Sequence, residues 1–292
     1  MEYSRQLILL VQEVLKVPQT GVYSKPTVDA VIRFQMQHNL VADGILGPKT
    51  LESMHLLDSD LRLNSISKPT ISLIIHNRFL PDKECFNLVG KNEYIFLHHT
   101  AGWNDPFKTA DDWERDDRGA IGTEFVIGGK NCKTGDDTFD GTIVKALRDG
   151  KQGWHLGPTG SEYMNKHSVG IELCNFGQLN KEQRTYVNTM VQSEQVCKLS
   201  KEFRGYLFWH RYSDNQLLSL KQTIRYVADR DSIDIRKGII ENINKNGVEK
   251  AFEFSELAYS GQVKGLLLHT NVRKDKFDLF PQPELIDMLL SL

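Results

Sequence analysis

The sequence predicts an α/β protein in two parts: a small three-helix N-terminal module, then a mixed α/β domain with a central mixed β-sheet flanked by helices. Three observations predict it. Residues 1–55 hold an internal repeat of helical character, residues 56–69 lack clear periodicity, and from residue 70 short β-rich runs alternate with helical stretches. At 292 residues the chain is about twice a typical domain, long enough for two parts and a sizeable core.

The repeat has a spacing of 23. VQEVLKVPQTGVYSKPT at 11–27 aligns with FQMQHNLVADGILGPKT at 34–50, matching Gln12 to Gln35, Val17 to Leu40, Gly21 to Gly44, Val22 to Ile45 and Thr27 to Thr50. Each unit reads as a helix end, a glycine turn and the start of the next helix. Ser24 is placed to cap a helix with Pro26 in its first turn, where a missing N–H costs nothing. Val28, Val31, Ile32 and Gln35 keep helical spacing, and Gly47-Pro48 opens a third short helix over 49–55. Three short helices around one core is the economical arrangement. On Thr20-Gly21-Val22, Ala30-Val31, Phe34-Gln35 and Asp43 to Thr50, the segment resembles the peptidoglycan-binding module of bacterial and phage wall hydrolases.

Residues 56–69, LLDSDLRLNSISKP, are expected to be a linker, and residues 70–292 a second domain. Its β-rich runs are TISLIIHNRFL, YIFLHH, TEFVIGG, TIVKAL, SVGIELCNFG and GLLLHTN; the helical stretches between them are 181–199, 217–230 and 283–292. Residues 236–261 are polar and match neither pattern, so they read as an elaboration beside the site.

Composition excludes several roles. A net charge of −2 gives no overall basic field to draw nucleic acid or an anionic membrane. No apolar run approaches the roughly 18 residues that span a bilayer, so stable membrane association is not expected. None of Cys85, Cys132, Cys174 and Cys197 forms a C-x-x-C pair, and reduced thiols from cytoplasmic synthesis are expected. The start, MEYSRQLILLVQEVLKV, reads as an amphipathic helix rather than a signal peptide, so a different route to any substrate outside the cytoplasm is expected.

Chemistry concentrates at two strand ends. In YIFLHH, residues 94–99, successive side chains alternate between faces, so His98 and His99 cannot easily hold one metal together. A second run, Leu266-Leu267-Leu268, ends in His269 and precedes a loop with Lys276 and Asp278. Two histidines and a carboxylate give three N/O ligands and leave a fourth position for water, the pattern of a catalytic zinc site. A nearby lysine can stabilise an oxyanion. His210 also ends an apolar run, but no lysine–carboxylate loop follows it and it reads as structural. Cys174 reads as a small buried thiol.

Four motifs occur in order: His98-His99-Thr100-Ala101-Gly102, Trp154-His155-x-Gly157, Gly170-Ile171-Glu172-Leu173, and His269 with Lys276-x-Asp278. Their order resembles zinc N-acetylmuramoyl-L-alanine amidases, which include amidase-type phage lysozymes and are related to peptidoglycan-recognition proteins. The resemblance runs from about residue 70 to the C-terminus. It implies that Zn²⁺ is held by His98, His269 and Asp278 and that Lys276 stabilises the transition state. Leu279 stands where the family usually has proline, so a departure from the family's turn is expected there. Thr123 occupies the position of a catalytic tyrosine in many relatives and cannot replace it. Glu172 is favoured as general base, with Glu124 the second candidate. Trp154, His155, Thr123 and Glu124 are expected along the substrate groove, although a structural role for His155 stands beside that one.

The resemblance implies hydrolysis of the amide between N-acetylmuramic acid and L-alanine in peptidoglycan, by a monomeric phage endolysin made in the host cytoplasm. Access to the wall would depend on a membrane-permeabilising partner. A noncatalytic peptidoglycan-recognition protein and a zinc endopeptidase acting within the stem peptide are the alternatives.

Overall fold

The structure is a computed structural model that describes residues 5–38, 40–54, 56, 73–157 and 160–292. The described residues fall into two compact units, one within residues 1–71 and one within 72–292. Apart from Leu56, the expected linker lies outside the described residues.

The first unit contains α1 (Arg5–Val14), α2 (Lys25–Gln37) and α3 (Pro48–Ser53). Val11, Val31, Leu46 and Met54 form its core, with Leu7, Leu15, Phe34 and Leu51 packed around them. Ser24 sits at the N-cap of α2 with Pro26 in the first turn, but its side chain makes no capping bond. The repeat is a polar cage built twice. Gln12 Nε2 donates to Thr20 Oγ1, the Val22 carbonyl and Thr27 Oγ1 at 2.9–3.1 Å, and Gln12 Oε1 accepts from the Gly21 amide at 2.9 Å. Gln35 Nε2 donates to Asp43 Oδ1, the Ile45 carbonyl and Thr50 Oγ1 at 3.0 Å, and Gln35 Oε1 accepts from the Gly44 amide at 2.9 Å. Both glutamines are fully buried. Gly21 and Gly44 have φ of 69° and 68°, the left-handed turn that glycine adopts without penalty.

The second unit is built on a six-stranded mixed sheet. In chain order its strands are β1 (Ile75–Asn77), β2 (Phe86–Asn87), β3 (Tyr94–His99), β4 (Phe125–Ile127), β5 (Ile143–Lys145), β6 (Lys151–Gln152), β7 (Ser168–Leu173), β8 (Gln178–Leu179), β9 (Val196–Phe203), β10 (Tyr206–His210) and β11 (Gly265–Leu268). The central sheet has the order β1-β5-β4-β7-β3-β11, while β8-β10-β9 and β2-β6 form small antiparallel sheets. β3 pairs in parallel with both β7 and β11, and β4 pairs in parallel with β7 but antiparallel with β5.

The helices of this unit are α4 (Pro106–Glu114), α5 (Glu162–Lys166), α6 (Asp214–Asp231), α7 (Ile239–Asn246), α8 (Val248–Ala251), α9 (Glu256–Tyr259), α10 (His269–Val272) and α11 (Pro283–Leu290). The alternation in β3 divides the domain. Ile95 and Leu97 enter the main core with Trp209, Tyr212, Leu220 and Ile224, whereas Tyr94 and Phe96 join a smaller cluster with Leu156, Met164 and Leu267.

The helices expected over 217–230 and 283–292 are α6 and α11. The one expected over 181–199 does not form. Those residues make an irregular hairpin, a short 3-10 turn at Ser193–Gln195 and the start of β9. Lys181, Glu182, Gln183 and Arg184 favour helix, but Thr185, Val187, Thr189 and Val191 are β-branched and Asn188 takes φ 60° in a turn. Residues 236–261 supply α7, α8 and α9, and Asn271 ties this segment to α10: its Nδ2 donates to the carbonyls of Ala251 and Glu253 at 2.8 and 3.0 Å.

Removing a cage glutamine takes the acceptor from a buried glycine amide, Gly21 or Gly44, at a cost of about 1–3 kcal/mol for the group left unpaired. In the intact chain, Gln35→Ala should speed hydrogen exchange at the Gly44 amide at least tenfold, and Gln12→Ala should do the same at Gly21. Unchanged exchange in either variant would show that the cage does not hold its turn.

Candidate functional site

The site forms where parallel strands end together. The register pairs His98 of β3 with Glu172 of β7, so both side chains leave the same face of the sheet. β11 ends at Leu268, paired with Leu97, and the next residue is His269 at the start of α10. Asn271 Oδ1 accepts the Leu268 amide at 3.0 Å, which fixes this turn. The Thr270 amide donates to the Asp278 carbonyl at 3.1 Å and draws the following loop back over His269.

Three side chains therefore converge. His98 Nδ1 and His269 Nδ1 are 2.9 Å apart, His269 Nδ1 and Asp278 Oδ2 are 2.9 Å apart, and His98 Nδ1 and Asp278 Oδ2 are 3.3 Å apart. All three residues are buried. Burial pushes the His98 imidazole down to about 4, with the neighbouring His269 adding to the effect. Burial pushes the Asp278 carboxyl the other way, but His269 and the hydrogen bonds from both histidines outweigh it and hold that carboxyl well below its ordinary value. A neutral imidazole and an ionised carboxylate are the forms that ligate a metal. Ligands at about 2.0–2.1 Å from a tetrahedral ion lie about 3.3 Å from each other, close to the observed spacings. The group fits a divalent metal, with His98, His269 and Asp278 as its three ligands.

The surroundings orient these ligands. His98 Nε2 lies 3.0 Å from His155 Nδ1, and His155 Nε2 lies 2.8 Å from Ser168 Oγ. His155 thus has both ring nitrogens engaged, one of them with His98, while it also lines the cleft. Gly157 adopts φ +73°, and a Cβ there would meet Arg273 Nη1 at 2.5 Å. Arg273 takes that space, donating to the Leu156 carbonyl at 2.7 Å and, through Nε and Nη2, to both oxygens of Asp275 at 2.8 and 2.7 Å. It links the loop of His155 to the loop of Lys276 and Asp278, a joint that no local sequence pattern announces.

His98, Glu172, His269 and Asp278 line a cleft of about 400 Å³ together with Thr123, Trp154, His155 and Lys276. Glu172 is half-buried on β7. Burial, with the charge of Asp278 adding to it, pushes its carboxyl up to about 8, within reach of proton exchange near neutral pH. Its neighbour in the sequence argument, Glu124, is not brought to the cleft. A bend at Glu124 breaks the alternation just before β4, so Thr123 faces the cleft while Glu124 turns to α6. There both its oxygens bond Arg230, and Lys145 lies 3.4 Å away. Glu124 sits in an ion-pair network and is not among the residues that line the cleft.

His99 points to the other face, as alternation requires. Its Nδ1 lies 2.8 Å from the Tyr212 hydroxyl, inside the main core. His210 is structural too, accepting the Phe176 amide at Nδ1 at 3.1 Å with Nε2 beside Gln195 Oε1. Cys174 is a buried thiol 3.6 Å from Thr109 Oγ1.

The family model for N-acetylmuramoyl-L-alanine amidase matches residues 89–249, and that for a peptidoglycan binding domain matches residues 6–54. The amidase match ends before His269 and Asp278, so geometry alone brings those two residues to His98. No curated protein matches the chain. Among solved structures, the catalytic domain of XlyA shares 13% identity over 75% of this chain and 97% of its own, with a TM-score of 0.39. A mutant endolysin from Bacillus subtilis shares 17% over 56% and 79%, with a TM-score of 0.34. Drosophila PGRP-LB shares 19% over 70% and 86%, with a TM-score of 0.36.

The geometry separates the adjacent histidines experimentally. Calorimetric titration with a divalent transition metal should show one site per chain. His98→Ala, His269→Ala and Asp278→Ala should each weaken binding by roughly 100-fold or more. His99→Ala should keep binding within about tenfold of the parent while lowering the unfolding temperature, since it removes the bond to the buried Tyr212 hydroxyl and leaves a cavity in the main core. Loss of binding in His99→Ala with retention in His98→Ala would reverse the ligand assignment.

Proposed function

The chain belongs to the N-acetylmuramoyl-L-alanine amidase family and carries a peptidoglycan binding domain, and we propose that it cuts peptidoglycan as a zinc-dependent phage endolysin. The observation that carries the zinc reading is the convergence of His98 Nδ1, His269 Nδ1 and Asp278 Oδ2 in one buried corner of the cleft. Two imidazoles and one carboxylate form the open N/O donor set of hydrolytic zinc rather than the closed thiolate set of structural zinc. Bound there, zinc would supply a Lewis acid and lower the pKa of water in the cleft.

The protein's own residues then have separate tasks. Glu172 takes a proton from the attacking water as the C–O bond forms at the lactyl carbonyl carbon. It returns that proton to the amine of L-alanine as the C–N bond breaks, so the products are a muramoyl lactyl carboxylate and a new amino group. Lys276, half-buried at the cleft wall, faces the negative charge that develops on the carbonyl oxygen. His155 and Ser168 hold His98 in one ring orientation. Thr123 and Trp154 shape the cleft wall, where Trp154 packs against Phe86 with ring centres 4.8 Å apart.

The wall-binding module supports the endolysin reading, because tethering to an insoluble polymer raises the local concentration of the catalytic domain. Such an enzyme, monomeric and made in the host cytoplasm, would reach the wall through a lesion opened by a membrane-permeabilising partner. Among the described residues no helix is long and apolar enough to cross a membrane.

Purified peptidoglycan digested with the protein, with and without a zinc chelator, tests the reading by mass spectrometry of the new ends. Free lactyl carboxylates paired with new L-alanine amines, lost on chelation and restored by zinc, are expected. New amines within the stem peptide would instead make it an endopeptidase, and binding without cleavage a recognition protein. Glu172→Gln should lower kcat by about 10²–10⁴-fold with metal content retained. A variant of near-normal rate would remove Glu172 from the proton path.

A further inference from the structure

The segment between β8 and β9 turns back on itself and exposes aromatic and aliphatic side chains at its tip. Its turn is closed by bonds from the Thr185 amide to the Thr189 carbonyl and from the Asn188 amide to the Thr185 carbonyl, both 2.9 Å. The Thr189 amide adds a bond to Thr185 Oγ1 at 3.1 Å, and Arg184 Nη1 donates to the Asn188 carbonyl at 2.9 Å. A turn so constrained would accept polar residues at its tip. It presents Tyr186 and Val187 instead, 70% and 47% exposed.

Trp103, four residues beyond His99, is 41% exposed on the same side. One buried ring supports both aromatics: Phe176 meets Trp103 edge-on at 5.0 Å and Tyr186 at 6.0 Å between ring centres. The Tyr186 hydroxyl donates to the Ala101 carbonyl at 2.9 Å, and Ala101 lines the cleft that holds His98 and Glu172. The exposed rings therefore continue the rim of the cleft in a fixed orientation. Beside them a recess is lined by Trp103, Lys133, Arg184, Asn188, Met190 and Gln192. Flat apolar faces edged by hydrogen-bonding side chains match a pyranose, which has C–H faces and a rim of hydroxyls. Trp103, Tyr186, Val187 and Met190 thus expose aromatic and aliphatic side chains beside the cleft, a setting in which binding surfaces occur.

We propose that Trp103 and Tyr186 form a subsite for the glycan strand of peptidoglycan, next to the muramic acid whose amide is cut. The proposal rests on the amidase reading and adds a requirement for more than one sugar. It places specificity for the polymer in the catalytic unit as well as in the N-terminal module.

Two measurements in the full chain test it. The first is the ratio of kcat/KM on a muramoyl peptide within a glycan tetrasaccharide to that on a muramoyl peptide with a single sugar. Trp103→Ala and Tyr186→Ala should each lower this ratio roughly tenfold, while Trp103→Phe should retain most of it. An unchanged ratio overturns the proposal while leaving the amidase reading intact. The second is binding of a peptide-free tetrasaccharide of alternating N-acetylglucosamine and N-acetylmuramic acid, followed by NMR at the Trp103 indole N–H. A saturable shift that Tyr186→Ala abolishes is expected. No shift, a shift produced only by a sugar-free stem peptide, or one that follows protein concentration as self-association would, each overturns it. If the parent cleaves neither substrate, the amidase reading fails, and the indole titration still decides the subsite.

Discussion

Parallel pairing of β3 with β7 on one side and β11 on the other is the constraint on which the site depends. It brings three strand ends to one edge in register, so that His98 and Glu172 share a face and His269 emerges beside them. The chain separates these residues by 74 and 97 positions, and only the sheet brings them together. Ligands at the carboxyl ends of parallel strands follow the general rule for such sheets. The remaining ligand is placed by backbone rather than by strand, since the Thr270 amide holds the Asp278 carbonyl and sets the loop across the end of β11.

Around that edge the protein uses polar joints where a core would otherwise be apolar. His155 and Ser168 steady His98, Arg273 joins two loops, and Asn271 anchors α7 to α9 against the turn of His269. Each joint satisfies its buried donors and acceptors, which is the condition under which such networks rigidify rather than weaken a fold. The polar stretch at 236–261 is joined to the site in this way: through Ala251 of α8 and Glu253 it buttresses the turn that carries His269.

What was legible in the sequence was local and periodic. Alternation puts His98 and His99 on opposite faces while only the resemblance points to His98 as the ligand, and the 23-residue spacing of Gln12 and Gln35 points to two equivalent turns. Where periodicity was interrupted, legibility ended. The helix expected over 181–199 failed because β-branched residues and a turn-forming asparagine outweighed four helix-favouring ones. Glu124 was misplaced because a single bend reversed the facing of one strand start. The partnership of His155 with His98 and the reach of Arg273 across two loops are tertiary facts with no sequence period to report them.

The doubled glutamine cage has a consequence for how the chain acquires its structure. Each glutamine satisfies partners only 8 to 15 residues away, whereas the metal corner joins residues 171 positions apart. Contacts of short sequence separation form quickly, and a chain made from its N-terminus folds its leading segments first. The cages of the first unit can therefore close before β11 and the loop of Asp278 are made. The corner of His98, His269 and Asp278 closes only once residue 278 has been made, so a copy terminated before β11 would keep both glutamine cages and lack that corner.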